Sequence, residues 1–274
     1  MKVRLMSSLL LLGSVCLTSC GDIPPYDLDT ETEIIVGMEA DYAPFNWSVQ
    51  NANNFTHPLS GRPGHVDGYD VQVSKIIALG LNKSLVIKVS SFDGLIPALR
   101  AGQIDLAIAG MSPTATRAKQ VAFSEEYYRS ECVMVVSSSG AYASATSIAE
   151  FSGARVVAQL ATLYVDLIDQ IPNVIALPSL GSYAALQNAV SSGAADAFIG
   201  ELPVAQGIVA ADNSLSIVRL TNGGFVIDDS EIVVSVAMRK QDTALLEAIN
   251  TILATISEEQ RNNLMSEALN RSEE

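Results

Sequence analysis

Leu99-Arg100-Ala101-Gly102-Gln103-Ile104-Asp105 returns in the second half of the chain as Val190-Ser191-Ser192-Gly193-Ala194-Ala195-Asp196. Each copy runs into a small-apolar stretch closed by a glycine, Gly110 or Gly200. Both read as a helix end, a glycine stop in left-handed backbone, a buried strand and a loop. Around the first copy, the apolar spacing predicts strands Ile34–Met38 and Leu85–Val89 and a helix Val71–Leu79. Asp70 and Asp93 stand where N-caps belong, and a strand Ile104–Ala109 leads through Ser112-Pro113-Thr114 into a short helix Ala115–Lys119. Around the second copy the order is strand Arg155–Ala158, helix Leu163–Ile171, strand Val174–Leu177, helix Ser182–Val190, strand Ala195–Ile199 and helix Pro203–Ala210. This alternation is the grammar of an α/β fold with parallel sheets. In such sheets, loops beyond the carboxyl ends of strands form the ligand crevice, so Met111-Ser112 and Glu201 should face one site.

The chain closes with a strand Ile232–Met238 and helices Thr243–Ile256 and Glu258–Leu269, which return to the first half. Roughly 240 residues of folded chain exceed what one core usually organises, so two lobes are expected. The strands crossing between them would be Arg129–Val136 and Glu231–Val236, giving a hinge. Lobe one then takes residues 33–130 and 233–274, and lobe two takes 131–232. Ser48 to Asp67 is a long polar insertion.

The N-terminus carries Lys2 and Arg4, then an apolar stretch Leu5–Leu17, then Leu17-Thr18-Ser19-Cys20. Residues 1–19 read as a signal peptide, too short to span a bilayer. The closing tetrad resembles the bacterial lipobox, which implies acylation of Cys20 and an extracytoplasmic, membrane-anchored protein. Residues 20–32, with Pro24, Pro25 and a cluster of acids, read as a solvated tether of roughly 20 Å reach. Of the three cysteines, Cys16 falls in the signal and only Cys132 remains in the body, so no intramolecular disulfide forms there. Two histidines, His57 and His65, make no zinc pattern, and neither metal nor cofactor is expected. The net charge of −14 argues against nucleic-acid or anionic-lipid partners, and the protein is expected to be a monomer.

Gly37-Met38-Glu39-Ala40-Asp41-Tyr42-Ala43-Pro44-Phe45, then Gly68-Tyr69-Asp70-Val71, then Gly110-Met111-Ser112-Pro113-Thr114 with Arg117, Phe123-Ser124 and Tyr127-Tyr128 follow in order. Together they resemble the polar amino-acid family, family 3, of solute-binding proteins, from about Ile34 to Leu269. The resemblance implies two doubly wound α/β lobes on a two-strand hinge, of the periplasmic binding protein type II kind. It also implies a free polar L-amino acid as ligand and the permease and ATPase of an ABC importer as partners.

The chemistry of such a ligand is definite. A zwitterion leaves water only if a cation and an anion meet its two ends. The resemblance places Arg117 on the α-carboxylate and Glu201 on the α-ammonium. Gly110, Met111 and Ser112 line the loop before Arg117. Thr162 begins the Leu163 helix and caps the carboxylate from lobe two, although Ala161-Thr162 stands where the family has Gly-Thr. Tyr42 and Phe92 match aromatic walls, and Glu39 matches an acid found in members that take basic amino acids. A carboxylate between flat aromatic faces suits arginine, lysine or ornithine. Gln159 and Trp47 are further candidates, each equally readable as packing. Two other functions stay open at this point. One is a periplasmic dehydratase on the same fold, with Glu201 as general acid. The other is a receptor lobe for a membrane signalling partner.

Overall fold

The computed structural model describes residues 23–229 and 231–272. The expected signal peptide and Cys20 therefore lie outside the described residues. In chain order the elements are β1 (Glu33–Met38), β2 (Asp41–Tyr42), β3 (Asn46–Val49), β4 (His57–Pro58), β5 (His65–Asp67), α1 (Tyr69–Gly80), β6 (Ser84–Val89) and α2 (Phe92–Arg100). Next come β7 (Leu106–Ala107), α3 (Ala115–Ala118), β8 (Ala122–Arg129), β9 (Cys132–Ser137), β10 (Arg155–Val157), α4 (Tyr164–Leu167), β11 (Ile175–Ala176) and α5 (Tyr183–Ser191). The last are β12 (Ala197–Glu201), α6 (Leu202–Ala211), β13 (Leu215–Val218), β14 (Val233–Met238), α7 (Thr243–Leu253) and α8 (Glu258–Ser272).

Two five-stranded sheets share one plan. The first runs β6-β1-β7-β14-β8, and the second β11-β10-β12-β9-β13. In the first, β1 pairs in parallel with β6 and β7, whereas β14 runs antiparallel to β7 and β8. In the second, β10 lies parallel to β11 and β12, and β9 is antiparallel to β12 and β13. The two repeated fragments occupy equivalent places, entering β7 and β12. Gly102 and Gly193, at φ +65° and +74°, end α2 and α5 in the left-handed backbone their position demands.

The chain crosses between the sheets twice, side by side. β8 and β9 are separated at Ser130-Glu131, so the first crossing is a broken strand rather than the continuous Arg129–Val136 expected. Ser130 N–H donates to Ile232 O at 3.0 Å, which ties the two crossings together.

Several local expectations change. Asp70 and Asp93 are not N-caps: α1 and α2 begin two residues earlier than those caps would place them, with Gly68 and Ser91 at the cap, and both acids fall in the first turn. Leu163–Ile171 is a single α turn followed by a 3₁₀ turn, with no side-chain cap. The insertion Ser48–Asp67 is part of a third, antiparallel sheet, β2-β3-β5-β4. It is fastened by Arg271, whose guanidinium pairs with Asp67 at 3.0 Å and lies 4.1 Å over the Phe55 ring. Helix α8 packs on α1 and also on α6, so it touches both halves instead of the first alone.

The tether reading is corrected as well. From Ile23 onward the segment is docked: Tyr26 is buried, its N–H donates to Asp242 Oδ1 at 2.9 Å, and its hydroxyl donates to Glu33 O at 2.6 Å. Composition signalled solvation there because acids outnumber apolar residues. One buried aromatic ring and a pairing with a distant aspartate outweigh that local bias.

Candidate functional site

The carboxyl ends of the parallel strands converge on one crevice, as the fold class requires. Glu39 follows β1, Phe92 opens the helix after β6, Gly110 and Ser112 follow β7, Gln159 follows β10, and Glu201 is the last residue of β12. These residues, with Tyr42, Arg117 and Thr162, line one narrow cavity together with Leu163, Tyr164 and Tyr183.

Arg117 sits in α3, with its N–H bonded to the Thr114 hydroxyl oxygen at the cap. Its side chain is 8% exposed. Nη1 donates to Ser112 O at 2.8 Å, Nη2 donates across the crevice to Ala161 O at 2.9 Å, and the guanidinium lies 5.0 Å from the Phe92 ring centre. Burial lowers its pKa to about 10, so it remains a cation at neutral pH. No carboxylate among the described residues forms an ion pair with it. With four residues in α3 and four in α4, little helix dipole is available, and the anion-binding potential rests on this guanidinium.

Glu201 is 5% exposed. Oε1 accepts from the Tyr42 hydroxyl at 2.8 Å, whereas Oε2 is buried with no hydrogen-bond partner among the described residues. Burial raises its pKa to about 7, against the pull of the Tyr42, Tyr164 and Ser130 hydroxyls facing it. At the other end of the cavity, Glu39 Oε1 accepts from Gln159 Nε2 at 2.8 Å. Burial, assisted by Asp41 and Asp93, pushes Glu39 up to about 8, although the Gln159 bond opposes it. Tyr183, whose buried hydroxyl also has no partner among the described residues, packs its ring 4.8 Å from that of Tyr42.

Every residue singled out from sequence for this site reaches the cavity except two. Met111 turns its side chain into the core at 1% exposure, and only its carbonyl is used, accepting Ser235 N–H. Gly110 takes φ +59°, and Ser112, two residues on, lines the crevice. Trp47 lines a separate hollow with Asp41, Ala43 and Ala184. Thr162 lines the cavity without capping a helix, because its hydroxyl donates to Gln159 O at 2.7 Å. Ala161 adopts φ +62°, the left-handed backbone glycine takes readily, and so turns its carbonyl to Arg117.

The profile of the bacterial extracellular solute-binding proteins, family 3, matches residues 34–268, nearly the whole described chain. The chain belongs to this family. Among curated relatives, the arginine-binding extracellular protein ArtP of Bacillus subtilis is 28% identical over 259 residues, covering 89% of this chain and 90% of that protein. Among solved structures, the family 3 chain superimposes on an amino-acid ABC transporter substrate-binding protein of Streptococcus pneumoniae, AbpA, bound to L-arginine. The TM-score is 0.74 at 25% identity, over 89% of this chain and 97% of that one. An ancestral amino-acid-binding protein described as a precursor of cyclohexadienyl dehydratase superimposes with a TM-score of 0.72 at 25% identity, over 87% of this chain and 96% of that one. These likenesses fix the fold as two α/β lobes on a hinge and the class as extracellular or periplasmic solute binding.

Sequence reasoning missed Tyr164 and Tyr183. Both open short helices in the second lobe, after Thr162-Leu163 and Ser182, so they too follow strands β10 and β11. The rule that placed Ser112 and Glu201 would have found them had it been applied to every strand end.

Proposed function

We propose that this family 3 protein is the substrate-binding component of an ABC importer and closes around one free amino acid, preferentially basic, of which arginine is the first candidate. One observation carries the reading: a buried guanidinium and a buried carboxyl line the same small cavity, neither forms an ion pair among the described residues, and one carboxyl oxygen accepts no hydrogen bond among them. A buried charge without a partner is unfavourable by several kcal/mol, and an α-amino acid supplies the missing ion at both ends.

In this reading Arg117 holds the α-carboxylate, with the Thr162 hydroxyl beside it. Glu201 takes the α-ammonium, exchanging part of its Tyr42 bond for the ligand. Tyr42, Phe92 and Tyr183 enclose the aliphatic stem. Glu39, oriented by Gln159, meets a terminal guanidinium or ammonium. The arginine named with ArtP and AbpA supports the choice of a basic side chain. The lobes are residues 33–130 with 233–274, and 131–232, turning about the paired crossings at 130–131 and 231–232. Each lobe contributes part of the site, so ligand contacts favour the closed form and shift the population toward it. A leader at 1–19 and an acyl anchor on Cys20 would hold a monomer at the outer face of the membrane, within reach of the permease.

A thermal-shift panel of the twenty amino acids with ornithine and citrulline, followed by calorimetry, tests the reading. Arginine, lysine or ornithine should raise the melting temperature most. Absence of any response across the panel would refute amino-acid binding.

The second reading is a dehydratase, favoured by two cavity carboxyls raised to about 7 and 8 and by the likeness to the dehydratase precursor. Against it, both carboxyls already have roles in holding a cationic amino acid. Product formed from prephenate or arogenate, followed by absorbance, would support the enzyme.

A further inference from the structure

Asp70 does not touch the cavity. It is fully buried, and the helix cap expected of it is absent. Its two oxygens face two different loops of the site. Oδ2 accepts from Asn46 Nδ2 at 2.7 Å, and the other end of that amide, Oδ1, accepts the Ala40 N–H at 2.7 Å. Ala40 sits at φ +58° between Glu39 and the Asp41-Tyr42 strand, a left-handed conformation an alanine holds only when its surroundings impose it. Oδ1 accepts from the Tyr127 hydroxyl at 2.7 Å, and that hydroxyl in turn accepts the Gly110 N–H at 3.1 Å. Gly110 opens the loop that carries Ser112 and Arg117. Asn46, Tyr127 and Asp70 are all essentially without solvent contact, so no water can substitute for a lost arm.

We propose that Asp70 is a positioning residue. Its single carboxyl ties the Glu39–Tyr42 loop to the Gly110–Arg117 loop through Asn46 and Tyr127, setting the distance between the side-chain end and the carboxylate end of the ligand site. The inference rests on the amino-acid reading above. It predicts a division of labour between the arms. The Tyr127 arm serves the backbone groups common to all amino acids, and the Asn46 arm serves the discrimination of side chains. The ionised carboxylate is the form that accepts from both arms, and the Tyr127 and Asn46 bonds oppose the rise to about 7 that burial imposes on the Asp70 pKa.

The test uses the complete mature protein, with calorimetric affinities for L-arginine and L-glutamine beside thermal melts of each variant. In Asp70→Asn the new amide would point donors at an existing donor, and affinity for both ligands should fall about tenfold or more. Combining it with Asn46→Asp reverses the polarity of that bond while leaving acceptors for Ala40 and Tyr127, and should restore most of the loss. Tyr127→Phe, the variant least apt to disturb folding, should weaken arginine and glutamine by the same factor. Asn46→Ala should change the arginine-to-glutamine ratio. A purely structural Asp70 would lower the melting temperature of these variants while leaving affinities and their ratio at the starting values, and that result would overturn the proposal. Failure of the starting protein to bind either amino acid would instead count against the function proposed above.

Discussion

The Tyr42 hydroxyl reaches from the first lobe to donate a 2.8 Å hydrogen bond to Glu201 Oε1 in the second. This bond spans the crevice and binds the carboxyl assigned to the ligand ammonium. Tyr42 is itself stacked on Phe45, with ring centres 5.2 Å apart, so its hydroxyl is aimed by packing rather than by the ligand. Closure and ligand capture therefore draw on the same acceptor.

The stability of the ligand-free protein should fall with rising pH across the neutral range. Burial raises Glu39 to about 8 and Glu201 and Asp70 each to about 7, so the folded state binds more protons than the unfolded one. Their contribution is complete below the ordinary carboxyl range and disappears as pH climbs through about 7 to 8. Melting temperatures from pH 5 to 8.5 should decline. Saturating arginine should flatten the curve, because a cationic ligand favours the ionised carboxyls. Tyr42→Phe removes the hydrogen bond that Glu201 Oε1 accepts and should cost about 1–3 kcal/mol in urea unfolding at pH 8.

Arg117→Ala should abolish responses to every amino acid. Removing one partner of a buried charge pair typically costs about 2–5 kcal/mol, which is roughly 30-fold or more in Kd. Arg117→Lys should recover only part of this, since an ammonium cannot reproduce the planar fork held by Ser112 O and Ala161 O. Calorimetry on both variants gives the comparison, and equal affinity in wild type and Arg117→Ala would remove Arg117 from the site.

Glu39→Gln should weaken arginine and lysine selectively while sparing glutamine. Glu39 is largely protonated below about pH 8, so a cationic side chain must expel that proton on binding. Affinity for arginine should accordingly rise with pH from about 6 to 8, and the slope should become shallower in Glu39→Gln, where only Glu201, raised to about 7, still has a proton to release. Titrations in buffers of different ionisation enthalpy would count the released proton directly.

Gly110→Ala should damage both stability and binding. A β-carbon there would lie 2.6 Å from Tyr42 Cε1, in backbone at φ +59°. Tyr42 has Phe45 and Tyr183 on either side and little room to move. A loss of about 1–3 kcal/mol in denaturant stability is expected, along with weaker binding of all ligands. Ala161→Gly should act in the opposite direction, gaining up to about 1 kcal/mol by relieving its left-handed backbone.

The sequence by itself determined the alternation of elements, the repeated helix–glycine–strand unit and the strand ends that carry Glu39, Ser112, Arg117, Gln159 and Glu201. All of these are written in local periods and in glycines whose backbone conformation admits few alternatives. Tertiary structure alone decided that Met111 turns inward, that Asp70 joins two loops, that Tyr183 closes the cavity beside Tyr42, and that Tyr26 docks against the first lobe. Those outcomes depend on which side chains meet across distant segments and on how far each carboxyl is removed from water. Neither is a property of any short stretch of the chain.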